Sequence, residues 1–179
     1  MRSAPPPSPT LSWVLLASVA VVTLGLDQIT KHFVLSRLSW GEAWNPVEGL
    51  ARFFSITPVA NTGAAFGLLP DQGTLLTVLA LIVVAAILYY QRQLASHNAW
   101  LAGCLGLLLG GAVGNLADRL RFGHVVDFLD FKFWPVFNVA DSAIVVGVGL
   151  LVFWYWRNPE EPVPVPPAAT GEEAAPESG

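Results

Sequence analysis

Charged side chains are scarce. Nine Lys+Arg and thirteen Asp+Glu make up 12% of the 179 residues, about half the share of a soluble domain. So thin a polar coat excludes an ordinary cytosolic enzyme. Nine cations are also too few for the basic face of a nucleic-acid binder, so no nucleic-acid partner is expected. A single cysteine, Cys104, excludes an internal disulfide framework and any multi-cysteine metal site. His32, His97 and His124 are scattered without metal-like spacing, so neither a metal nor another cofactor is expected. The acidity is concentrated at one end: Glu160, Glu161, Glu172, Glu173 and Glu177 supply the net charge of −4. Residues 1–157 hold nine bases against eight acids, a balance of +1.

What the chain has instead is long apolar runs. Four stretches, about Leu11–Leu26, Thr74–Tyr90, Trp100–Leu116 and Val139–Trp156, are free of charge apart from Asp141. At 1.5 Å per residue each reaches about 25–27 Å as a helix, enough for a slightly thin bilayer once flanking turns are added. The expectation is an all-α membrane protein of four transmembrane helices. The first run lacks a small-x-small cleavage site, since Gly25-Leu26-Asp27-Gln28 leads straight into Lys31, so it reads as a permanent helix rather than a cleaved leader. All seven tryptophans lie near span ends, as interfacial belts require. Residues 1–10 and 158–179, rich in Pro, Ala, Glu and Ser, read as disordered tails around a membrane domain at 11–157. The 38–73 connection carries a β-prone segment, Arg52–Thr57, and reads as a small extramembrane sheet or cradle.

Four spans put both termini on one side. The other face then receives the 38–73 connection and Asp27, Lys31, Asn115, Asp118, Arg119, Asp127, Asn138 and Asp141. Counting Lys and Arg, the positive-inside rule would turn this polar face toward the cytoplasm. Cations committed to ion pairs within a site weaken that count, so charge alone leaves the sidedness open.

Two clusters carry candidate chemistry. In Gly110-Gly-Ala-Val-Gly-Asn-Leu-Ala-Asp-Arg119, the i,i+3 and i,i+4 spacings put Asn115, Asp118 and Arg119 on one helix face, and the glycines admit a close neighbour. The plain alternative is a solvated helix end. Asn138 and Asp141 have capping-box spacing, a sufficient reason for both. Asp127, on the short apolar run Val125–Leu129, has no such excuse. Two carboxyls meeting at the membrane edge could share one proton, one acting as base toward water and the other as acid. Asp27 and Lys31 form an i,i+4 pair that by itself is an ordinary helix-end pair. Asn61–Gly67 is a turn of small residues, able to fold over a groove as a lid.

Five blocks in order, Asp27-x-x-Thr-Lys31, Asn61–Gly67, Gly110–Arg119, Val125-Val-Asp-Phe128 and Phe137-Asn-x-Ala-Asp141, resemble the bacterial lipoprotein signal peptidase (signal peptidase II) family. The resemblance covers about Leu11–Trp156. It implies a four-helix inner-membrane aspartyl protease with an extracytoplasmic β-cradle. Such an enzyme removes the signal peptide from diacylglyceryl-modified prolipoproteins, just before the lipid-bearing cysteine. Asp127 and Asp141 would be the catalytic pair. Asp27, Asn61, Asn115, Asp118, Arg119 and Asn138 would position substrate and pair. The site would face the outer leaflet, with both termini cytoplasmic, membrane lipid as a partner and a monomeric enzyme. A transporter is the rival reading, since membrane-edge carboxylates also serve ion paths, but those paths favour mid-bilayer groups and inverted repeats. A membrane scaffold would leave the polar cluster unexplained.

Overall fold

The computed structural model describes residues 8–63, 73–95 and 98–159. Four helices are long and apolar enough to cross a membrane. They are α1 (Pro9–Leu35), α2 (Gly73–Tyr90, continued by a π-helical turn Gln91–Ala95), α3 (Ala99–Phe122) and α4 (Val139–Arg157). Strands β1 (Phe54–Asn61) and β2 (Val125–Phe131) pair antiparallel. The tails expected at 1–10 and 158–179 lie mostly outside the described residues, as do Ala64–Gly67 of the expected lid.

α3 is the hub, packing against each of the other three helices. Its small residues allow this. A Cβ added at Gly110 would meet the Ala20 carbonyl and Thr23 Cβ of α1 at 2.6 Å, and one at Gly111 would meet the Ala140 carbonyl of α4 at 2.5 Å. One at Gly114 would strike the Asp27 carboxylate at 2.7 Å. The buried stripe of α1 follows 3.6-residue spacing but is small or polar for much of its length: Ser12, Leu16, Ala20, Thr23, Asp27, Lys31 and Val34. Its apolar side chains, such as Val21, Val22, Leu26 and Ile29, are exposed instead. This inverts a soluble helix, because the solvent outside is hydrocarbon.

α2 and α4 match the expected spans closely. α1 and α3 run well past the expected ends at Leu26 and Leu116, to Leu35 and Phe122. The polar residues that seemed to close those spans are on the helices themselves. Gly123, left-handed at φ 77°, caps α3 and turns the chain into β2.

The sheet also departs from expectation. Its first strand comes from the 38–73 connection, but its partner β2 lies between α3 and α4, on the run that carries Asp127. A bulge between Ile56 and Val59 accommodates Pro58, which has no N–H to give to a ladder. Beyond the bulge Val59 pairs with Asp127, and Asn61 with Val125, so all four share a face. Trp44 bridges to Ile56 on one side and Phe137 to Leu129 on the other, widening the pair into a shallow cradle. Ser55 and Thr57 donate to Asp130 at 3.1 and 3.3 Å, and Lys132 pairs with the same carboxylate. Burial opposes the charge on Asp130, but these hydrogen bonds together hold its carboxyl below the usual carboxylate range.

Gly110→Ala is expected to force α1 and α3 apart at a backbone contact and cost about 1–3 kcal/mol. Gly103→Ala, with open space around it, leaves stability unchanged or raises it. Melting temperatures of the two variants in detergent check the contrast.

Candidate active site

Asp127 and Asp141 arrive from different elements and line the same cavity of about 940 Å³. Asp127 projects from β2. Asp141 sits in the first turn of α4, brought back beside β2 by the short 132–138 return that seats Phe137 against Leu129.

Amides rather than cations hold the two carboxyls. Asn138 Nδ2 donates to Asp127 Oδ1 at 2.7 Å, and Asn61 Nδ2 donates to Asp127 Oδ2 at 2.8 Å. Asn115 Nδ2 donates to Asp141 Oδ1 at 2.7 Å. Asn138 Nδ2 also donates to Asn115 Oδ1 at 3.0 Å, so a chain of amides joins one aspartate to the other. Asn138 and Asp141 do form a capping box, with Asp141 N donating to Asn138 Oδ1 at 2.8 Å and Asn138 N to Asp141 Oδ2 at 3.3 Å. The capping reading and the site reading describe one residue: the oxygen of Asn138 caps the helix while its nitrogen serves Asp127.

Asp127 is 2% exposed. Burial pushes its carboxyl up to about 7, the negative charge of Asp141 adds to the rise, and the bonds from Asn61 and Asn138 and the charge of Lys31 oppose it. A carboxyl in this state keeps its proton where an exposed aspartate has lost it.

Beneath the pair lies a second polar layer. Asp27, Lys31 and Asp118 are 0, 3 and 1% exposed. Lys31 Nζ reaches Asp27 Oδ2 at 2.8 Å, Asp118 Oδ2 at 2.7 Å and Asn115 Oδ1 at 3.2 Å. Gln28 Nε2 donates to Asp118 Oδ1 at 2.9 Å and to Asp27 Oδ2 at 3.1 Å, while its own Oε1 accepts from Arg121 at 2.8 Å. This corrects two plain readings from the sequence: Asp118 is not a solvated helix end, and Asp27–Lys31 is not an ordinary helix-end pair. Arg119 lines the cavity within electrostatic reach of Asp141, Asp127 and Asp118.

All eight residues singled out in the sequence therefore converge on one region. Lys31 was read in the sequence only as the helix-end partner of Asp27 and was given no part in the site. Its signal was the i,i+4 spacing from Asp27; for Gln28 there was none.

The family model described as signal peptidase (SPase) II matches residues 19–157, the span that holds this whole constellation. The chain belongs to the signal peptidase II family. It is 41% identical over 141 residues to the lipoprotein signal peptidase of Halothermothrix orenii, a match covering 78% of this chain and 94% of that one. To the lipoprotein signal peptidase of Symbiobacterium thermophilum it is 46% identical over 142 residues, 77% of this chain and 90% of that one. A bacterial membrane enzyme solved by the in meso method at 2.3 Å resolution superposes with a TM-score of 0.77 at 28% identity, covering 90% of this chain and 99% of that one. Membership makes this signal peptidase II chain a peptidase, and its four spans make it a membrane protein.

The Asp127 carboxyl is expected to titrate near pH 7, as read from its C=O stretch in wild-type minus Asp127→Asn infrared difference spectra. Asn61→Ala removes a bond that favours the charged form, so it moves that midpoint upward.

Proposed function

We propose that Asp127 and Asp141 are the catalytic pair of an aspartyl endopeptidase that removes signal peptides from diacylglyceryl-modified prolipoproteins. The observation that carries this reading is two carboxyls on one cavity, joined by amides, with Asp127 poised near neutral pH. One shared proton then divides the labour. The ionised aspartate takes a proton from a water as its oxygen attacks the scissile carbonyl carbon. The protonated partner gives its proton to the carbonyl oxygen, forming a gem-diol. Collapse breaks the C–N bond: the departing amine takes a proton from the carboxyl that accepted it from water, one diol O–H gives its proton to the other, ionised carboxyl, and the pair returns to its starting state. The raised value at Asp127 suits a pair that retains one proton at neutral pH. Arg119, on the same cavity, supplies positive charge that favours the partial negative charge building on the carbonyl oxygen as it is protonated.

Lateral access fits a lipid-bearing substrate. The cavity wall includes Val145 and Val146 of α4, which are 71 and 52% exposed where lipid would lie. Two acyl chains are costly to draw into water, so they stay in the bilayer while the peptide reaches the pair. We place the site at the outer face of the inner membrane, with both termini cytoplasmic and the enzyme monomeric. Lys31 is spent on buried acids and Lys132 on Asp130, which discounts two of the cations that pointed the other way.

Asp127→Asn and Asp141→Asn should each lower signal-peptide release from a modified precursor by several orders of magnitude while the protein stays folded and inserted. Near-full activity in either variant contradicts the assignment.

Orientation has its own check. Cysteine placed at Glu48 should react with an impermeant thiol reagent on cells with a permeabilised outer envelope, and cysteine at Asn158 should not; the buried Cys104 stays silent in both. The reverse pattern turns the enzyme over.

A further inference from the structure

Resting on that catalytic reading, we propose that Lys31 is the positioning residue for both aspartates, acting through the two acids it pairs with. The same geometry occurs twice. Asp118 Oδ2 accepts the backbone N–H of Val126 at 3.0 Å, and Val126 is the residue directly before Asp127. Asp27 Oδ1 accepts the backbone N–H of Ala140 at 3.0 Å, and Ala140 is the residue directly before Asp141. Each catalytic candidate is thus hung from a charge-assisted bond one residue upstream, and one ammonium joins the two acceptors.

Lys31 also decides which way the Asn115 amide faces. Its ammonium has only donors, so the atom opposite it must be an oxygen. Asn115 Oδ1 takes that place at 3.2 Å and accepts Asn138 Nδ2 as well. Asn115 Nδ2 is left to donate to Asp141. Without Lys31, the amide could rotate and present an oxygen to the carboxylate.

An ammonium suits this task because it is a compact charge with three donors, and three acceptors on three residues surround it. A guanidinium carries the same charge in a planar fork that cannot meet those three directions from one centre. Arginine is therefore the informative replacement. It keeps the buried charge balance and removes the geometry.

The test uses the full-length protein in nanodiscs and a diacylglyceryl-modified precursor. Lys31→Arg and Lys31→Met are each expected to lower kcat about 100-fold, the scale of a misplaced reacting group, with KM within about threefold. Hydrogen exchange at the Val126 and Ala140 amides should quicken in both variants relative to the mid-helix amides of α3. Should neither variant fold, Asp27→Asn leaves Lys31 paired to Asp118 and tests one arm. It should lower kcat and quicken exchange at Ala140 while sparing Val126. Wild-type kcat in Lys31→Arg, or unchanged exchange at both amides, overturns the inference. So does a loss confined to KM. Those results beside an inactive Asp127→Asn sink the positioning role alone, whereas an active Asp127→Asn sinks the catalytic reading beneath it.

Discussion

A buried ammonium between two buried carboxylates is the contact on which the rest of this molecule depends. Isolated, each of these ions would be costly to hold inside a helical bundle. Here Lys31 offsets part of the charge of Asp27 and Asp118, and the remaining carboxylate lone pairs accept backbone and amide donors rather than staying unmet. The cluster therefore ties α1 to α3, α3 to the start of β2, and α1 to the first turn of α4. Removing Lys31 leaves two buried carboxylates without their cation, a far larger penalty than losing an exposed pair.

The upper layer follows from the lower one. Once β2 and α4 are fixed, Asp127 and Asp141 face one cavity, and neutral amides satisfy them without adding a cation at hydrogen-bonding distance. A lysine bonded directly to Asp127 would pull its carboxyl down into the ordinary range. Amide donors moderate the rise caused by burial without cancelling it, so the carboxyl rests near 7. The sheet contributes by register. The extra residue at the Pro58 bulge sets Asn61 diagonally opposite Asp127, within reach of a 2.8 Å bond.

Much of this was legible in the sequence. The apolar runs at α2 and α4 are nearly uninterrupted, so length and composition located them. The Asn and Asp residues at 115, 118, 127, 138 and 141 stood out because polar groups at the edge of an apolar span need a reason. The ends of α1 and α3 were not legible. Asp27, Lys31, Asp118 and Arg119 look like the charges that close a span, and only the fold reveals that the first three pair with one another inside it. β2 was missed because Val-Val-Asp-Phe-Leu-Asp-Phe does not alternate cleanly, and its partner lies more than sixty residues away. The role of Lys31 needs three-dimensional neighbours from α1 and α3 at once, which no spacing rule supplies.

The central claim joins a carboxyl pair at the membrane edge to a substrate anchored by its own lipid. The most direct measurement compares cleavage rates of the purified enzyme on one precursor with and without the diacylglyceryl group on its cysteine. The account predicts rapid release of the signal peptide from the modified precursor and little from the unmodified one, although the peptide sequence is identical. Equal rates on the two would contradict it.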